Sequence, residues 1–397
     1  MKKKMKHIAW CLVVLTLALS CREPFEIENS SFEDVLVVES TITNELKQQI
    51  VKVSRTYNLE ENEPAFENNA TVWIEDNLNT IFSFSQNTTG DYVSDIEFNA
   101  ETGHSYTLYI TTQDGKEFSS TETSLSPISE ITQLYAELIT RDNGDIGIEV
   151  LVDSNNENSE AKYFRYEYEE TYEVRPPHHS GVEGIIDFTQ EPTVIVTPRL
   201  QEEGLCYTTE SSFGVIQTTS ENLENNNVIR FPIRFIEKSN GIIRDRYSIL
   251  VTQYVQNIEA YTFYKIIEEL GSIESILSET QPGNVSGNLQ SLDNENEKVV
   301  GYFDVATVNS QRIYFTYSDF NIVKPPYIYD CELLDLDYTD NTSLDGDRND
   351  RFNLEQRLLH GLYKLVSANH PNYVIATTEC TDCTSISSNI RPDWWED

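Results

Sequence analysis

The chain has 397 residues, of which 28 are Lys or Arg and 66 are Asp or Glu, a formal net charge of −38. Acidity on this scale excludes nonspecific binding to nucleic acid or to anionic lipid, because both carry the same sign of charge. With 22 Tyr, 17 Phe and only 2 Met, the composition favours strands over a helical bundle.

Residues 1–20 read as a signal peptide. Lys2, Lys3, Lys4 and Lys6 form a positive n-region, and Ile8 to Leu19 is an apolar stretch too short to span a bilayer. Small Ser20 then precedes Cys21, the position where a lipoprotein signal peptidase cuts and the thiol receives diacylglycerol. Ala18 stands three before the cysteine, where leucine is usual. The competing reading is an ordinary signal peptide with a chance cysteine. Several acyl chains on Cys21 give stable anchoring where one is marginal. Residues 21–31 follow as a short acidic tether. The rest is long enough for two or three domains, with no second segment apolar enough to cross a membrane.

From Val35 the pattern is that of strands. Val35 to Asn44, Ile50 to Val53, Ala70 to Asn77, Ile81 to Phe84, Tyr92 and Val93, Tyr106 to Thr112 and Lys116 to Thr123 are short β-branched or alternating runs. Gln113-Asp-Gly-Lys116 is a hairpin turn, since Asp-Gly accepts the positive φ that a tight turn needs. Seven such strands predict an antiparallel β-sandwich over 32–126.

A larger β-rich, sandwich-like region with one or two helices is expected over 127–397. Ile146 to Val152 and Tyr163 to Tyr172 alternate. The aromatic residues of the second run suit either a core face or an exposed binding stripe, the core being the simpler reading. Residues 175–192 read as a loop. Val228 to Ile236, Arg244 to Val255, Val299 to Ala306 and Arg312 to Tyr317 are further strands. Between them, Ile258, Tyr261, Tyr264, Ile267 and Leu270 recur every third residue, with Ile266 beside them. This predicts a helix with Asn257 as N-cap and Gly271 just past its end. Leu354 to Val366 reads as a short helix or strand.

No catalytic signature is present. Gly283-Asn-Val-Ser-Gly287 places its serine one position late for a nucleophile elbow, and there is no H-E-x-x-H, P-loop or dinucleotide fingerprint. His178 and His179 are adjacent in a Pro-rich loop, project differently and make a poor metal pair. Asp345, Asp347 and Asn349 occupy positions one, three and five of a calcium loop. Asp350 stands where that loop needs glycine, however, and Gln356 where it needs glutamate. They remain only a weak candidate for an exposed Ca²⁺ site. Cys206, Cys331, Cys380 and Cys383 allow three disulfide pairings in an oxidising compartment. Cys380-Thr-Asp-Cys383 has redox spacing without a thioredoxin-like pattern before it, which favours a structural disulfide. Trp394 and Trp395 at the C-terminus either pin the tail or form an exposed contact for a partner.

The Cys21–tether–Leu36-Val-Val-Glu-Ser40 run, the Gly103-His-Ser-Tyr-Thr-Leu-Tyr-Ile110 strand, the Gln281 to Ser291 and Val299 to Phe315 block, and the C-terminal Cys380-Thr-Asp-Cys383 with Arg391 to Asp397 resemble a family of Bacteroidota lipoproteins, domain-of-unknown-function family 4249. The likeness implies an outer-membrane lipoprotein at the cell surface, associated with a TonB-dependent barrel, and a first sandwich similar to transthyretin-like modules. It brings no catalytic residues and no cofactor. The expectation is therefore a non-catalytic accessory or substrate-capture partner of that barrel, held by outer-membrane lipid. The alternative is a polymer-binding or hydrolytic enzyme with an unrecognised carboxylate or metal site.

Overall fold

The computed structural model describes residues 35–56, 65–154, 160–221, 223, 227–271, 287–340 and 349–396. Cys21, the tether, Asp345 and Asp347 lie outside them. The protein is mostly β, with two α-helices among the described residues, α1 (Ile258–Gly271) and α2 (Asp350–Leu359).

All seven strands expected in the first region form: Leu36–Thr43, Ile50–Arg55, Thr71–Asp76, Ile81–Gln86, Tyr92–Ser94, Ser105–Thr111 and Glu117–Ser120. The Asp-Gly turn is made as read, with Gly115 at φ +86°. Alternation sends Val38, Val51, Val53, Val72, Ile74, Leu108 and Ile110 to a common core. Later residues complete it. Strand Val299–Phe315 lies parallel to Leu36–Thr43, pairing Leu36 with Val299 and Thr43 with Ala306, and contributes Phe303 and Val305. Strand Leu289–Ser291 adds to the opposite edge, against Glu117–Ser120. Asn288 then links the two edges. Its amide donates to the Phe303 carbonyl at 2.8 Å and its side-chain oxygen accepts from the Phe303 N–H at 2.8 Å.

The two segments read as separate strands at 299–306 and 312–317 are one strand of 17 residues. Its second half leaves Leu36–Thr43 and pairs antiparallel with Tyr247–Gln256, which pairs in turn with Tyr163–Val174. One fifteen-stranded sheet thus runs through both regions. Behind its second part lies a three-stranded sheet of Ile131–Thr140, Ile146–Ser154 and Val228–Glu237. Ile148, Val150 and Val152 from one sheet meet Phe164, Tyr166, Ile249 and Val251 from the other in a second core. Strand Ile131–Thr140 was not legible: its buried Ile131 and Leu134 are three apart, because a register shift between Ile131 and Gln133 breaks the two-residue period.

A third, smaller core gathers Val194, Leu336, Leu354, Leu365 and Ile375. Part of it is strand Val182–Ile186, inside the stretch read as a loop. Leu354 to Val366 holds both alternatives in turn, the end of α2 and the start of strand Tyr363–Asn369.

α1 is capped as expected: the Ala260 N–H donates to the Asn257 side chain at 2.7 Å. The helix continues through Gly271, which was placed just beyond it. Its packed face also differs. Ala260 and Phe263 are buried, with Tyr264 and Ile267 beside them, whereas Ile258 is half exposed. Residues three apart step about 60° round a helix, so a run of five leaves any one face. The i, i+3, i+4, i+7 set is the one that stays together.

Candidate functional site

The second part of the large sheet has one face on the core and an opposite face that is open only in its middle, with Arg165 buried at one end and Thr171 and Ser248 at the other. Strand register sets the outward rows. Arg165, Tyr254 and Val308 form one, Glu167, Thr252 and Ser310 the next, then Glu169, Leu250 and Arg312, then Thr171, Ser248 and Tyr314. Phe164 and Tyr166 go to the core, and on the opposite face Glu167 and Glu169 are the partly exposed residues.

A cleft of about 320 Å³ opens on these rows, lined by Glu167, Glu169, Ser211, Ser212, Leu250 and Thr252 among others. Each carboxylate in its floor has a cation. Arg165 donates to Glu167, and Arg312 lies 3.4 Å from Glu169. Tyr254 donates its hydroxyl to Glu167 at 3.0 Å, and the hydroxyls of Thr252 and Ser310 are 2.9 Å apart. Burial, with the Glu167 charge beside it, pushes the Tyr254 hydroxyl up, so it remains a donor. Burial works against the Arg165 charge, but Tyr264, Glu167 and Tyr254 more than offset it. The guanidinium is held over the rings of Tyr254 (4.4 Å) and Tyr264 (4.8 Å), which places α1 at this end of the cleft.

The C-terminal tail closes the other end. Trp395 is 4% exposed, edge-on to Tyr207 (5.1 Å between ring centroids) and to Tyr314 (5.7 Å). Trp394 keeps 38% of its surface, and its ring lies beneath the Arg312 guanidinium. Of the two readings for this pair, Trp395 takes packing, which removes it as a partner contact. Only Trp394 still presents ring to solvent.

The cysteines of the C-x-x-C motif do not pair with each other. Cys383 bonds Cys206 and Cys380 bonds Cys331, with Cα atoms 5.7 and 5.6 Å apart. All four are structural, and the first bond ties the root of the tail to strand Cys206–Ser211. His178 and His179 pack on this knot: the His178 N–H donates to the Cys380 carbonyl at 3.1 Å, and His179 Nδ1 lies 3.1 Å from the Thr381 carbonyl. Between the cysteines, Asp382 is buried against Lys364. Burial would raise its pKa, but the Lys364 and Thr384 hydrogen bonds outweigh burial and lower it. Of the calcium candidates, Asn349 is spent as the N-cap of α2, accepting from Phe352 N–H at 2.8 Å. Among the described residues no three His, Cys, Asp or Glu side chains form a metal-binding group. The cleft residues Arg165, Glu167, Glu169, Thr252 and Arg312 were not singled out from the sequence. The only signal was the strict alternation of aromatic and charged residues in 164–169.

Fold and cleft together define a multi-sheet β protein with a recessed polar face on a rigid sheet. The chain belongs to the family described as Domain of unknown function (DUF4249), which matches residues 22–312. No curated protein matches it. One solved structure is described as the complete structure of manganese lipoxygenase of Gaeumannomyces graminis and partial structure of zonadhesin of Komagataella pastoris. It is 10% identical, over 57% of this chain and 89% of its own, with a TM-score of 0.14, too low to carry an argument.

Proposed function

We propose that the protein is a non-catalytic binding lipoprotein, anchored by Cys21 in the outer membrane and acting as the accessory or substrate-capture partner of a TonB-dependent barrel. The observation that carries the binding role is the cleft floor, where Glu167 and Glu169 are each ion-paired to an arginine on a continuous sheet. Side chains fixed in this way form a rigid hydrogen-bonding surface. The net charge of −38 favours a body that stands off from an anionic membrane surface. The anchor and the barrel partner rest on the leader sequence and on the family resemblance.

A mild-detergent pull-down of the tagged full-length protein from its native membrane tests this reading. Stoichiometric recovery of a TonB-dependent barrel is the expected result, and Cys21→Ser should release the protein from the membrane fraction. Recovery of the protein alone from efficiently extracted membrane overturns the accessory role.

A second reading has one observation in its favour. Glu167 and Glu169 are two residues apart on one strand face, about 7 Å along the strand, a spacing compatible with paired carboxylates in glycoside hydrolysis. Release of reducing ends from a polysaccharide, abolished by Glu169→Gln, would establish it.

A further inference from the structure

Building on the binding role proposed above, we infer that the cleft between Trp394 and Tyr254 takes a neutral, polyhydroxylated ligand: a segment of oligosaccharide. Four observations lead there.

The first is charge. The floor presents two acids and two bases, paired within it as Arg165 with Glu167 and Arg312 with Glu169. A cationic ligand must compete with a resident arginine for each carboxylate. An anionic ligand must approach a chain with a net charge of −38. A neutral ligand meets neither obstacle.

The second is hydrogen-bonding type. The carboxylates of Glu167 and Glu169 lie among the rotatable hydroxyls of Thr252, Ser310, Ser211 and Ser212, each able to donate or accept. A polyol, whose every hydroxyl is both donor and acceptor, fits such a floor. The open part of the floor, the rows of Glu167 and Glu169, spans about 7 Å along the strands, room for a sugar ring or two.

The third is the aromatic rim. The Trp394 ring has one face against Arg312, 3.5 Å from its centroid, and keeps 38% of its surface in solvent. A partly exposed indole beside polar groups matches the amphipathic body of a pyranose, with its C–H face and hydroxyl edge. Phe213, fully exposed, lies between the cleft residues Ser212 and Gly214.

The fourth separates sugar from peptide. Extended peptides gain affinity mainly by adding main-chain hydrogen bonds to a free strand edge. The floor of the cleft lies on a sheet face, where Tyr163–Val174 and Tyr247–Gln256 already pair with strands on both sides, and the edge strand Cys206–Ser211 contributes only its end, Ser211, with the following Ser212 and Gly214.

The test is binding of the detergent-solubilised full-length protein to immobilised gluco-, manno-, xylo- and galacto-oligosaccharides. Acidic pectin fragments and a casein digest serve as the anionic and peptide probes. Thr252→Trp fills the cleft from an outward strand position, and Trp394→Ala removes the rim. The expected result is binding to at least one neutral oligosaccharide, abolished by Thr252→Trp and weakened about tenfold by Trp394→Ala. Binding only to pectin or peptide, or neutral-sugar binding that ignores Thr252→Trp, overturns the inference. Barrel recovery from the same preparations separates the two proposals. Barrel recovery without sugar binding refutes the ligand class alone, and sugar binding without a barrel refutes the accessory role alone.

Discussion

The Arg312 guanidinium lies 3.5 Å from the centroid of the Trp394 ring, while the indole beside it, Trp395, is the one that disappears into the protein. Adjacent tryptophans therefore do different work. Trp395→Ala removes a ring packed between Tyr207 and Tyr314 and should lower stability by about 3–5 kcal/mol. Trp394→Ala removes a half-exposed cation–π contact and should cost about 1 kcal/mol or less. Urea unfolding of the two variants measures this directly. Equal losses would mean that the tail is not held by Trp395.

The tail has a second fastening at its root. Cys206–Cys383 closes a span of 177 residues and Cys331–Cys380 one of 49. Each bond should contribute about 2–5 kcal/mol, mainly by restricting the unfolded chain. Replacing Cys206 and Cys383 together by serine should also loosen Trp395, since the tail runs from Cys383 along strand Cys206–Ser211, bridged to Tyr207 through Ser388. In a Trp73→Phe background the emission should shift to the red in that variant and not in the Cys331/Cys380 double serine. Identical spectra would show the tail to be held by its aromatic contacts and hydrogen bonds without the disulfide.

The strands were legible wherever one face is buried and the other wet, as in Thr71–Asp76 with its alternating exposed and buried positions. They failed where polar residues perform a packing task. Asn309-Ser310-Gln311 looks like the end of a strand. In the fold, Asn309 accepts from the Ile131 N–H at 2.9 Å and Gln311 donates to the Ile131 carbonyl at 2.6 Å, so two of the three clasp a neighbouring strand end. The cleft was illegible for a different reason. Glu167, Thr252 and Ser310 become neighbours only through pairings between strands far apart in the chain. Nothing local fixes that register. The CxxC motif pointed to structural disulfides, but its partners Cys206 and Cys331 are likewise a matter of the fold.

Gly301 shows why part of the family-like block is glycine. Its φ is +138°, and a Cβ there would lie 1.9 Å from the Val38 carbonyl oxygen. A Cβ on Gly287 would lie 1.4 Å from the Gly301 carbonyl oxygen, so three backbones are stacked where the first sandwich closes. Gly301→Ala should prevent folding of that sandwich, seen as loss of protease-resistant protein. Gly103→Ala is the matched control. Gly103 also has positive φ, +86°, but nothing lies within 4 Å of its missing Cβ, so only backbone strain of roughly 1–2 kcal/mol is expected. If both variants are equally stable, the close approach at Gly301 is wrong.

Asp304 sets the last expectation. It follows Phe303 on the long strand, so it faces away from the first core, on the side where Tyr302 meets Phe263 of α1. It is fully buried. One carboxylate oxygen accepts from the Val305 N–H at 2.9 Å. Burial raises its pKa to about 6, with Arg165, the Val305 amide and the Gln256 side chain offsetting only part of that rise. The folded protein therefore holds this proton more tightly than the unfolded chain, whose carboxyl titrates near 3.8. Stability from this group is fully present below the unfolded value, declines as pH rises from about 4 to 6, and stays lower above that. The difference is about 3 kcal/mol. Asp304→Asn keeps an oxygen for the Val305 amide and removes the charge. It should match the wild type near pH 4 and exceed it by up to about 3 kcal/mol at pH 7.5. Urea midpoints across that range give the comparison. A variant less stable than wild type at pH 7.5 would mean that the charge on Asp304, set against Arg165, stabilises the region beneath α1 instead of straining it.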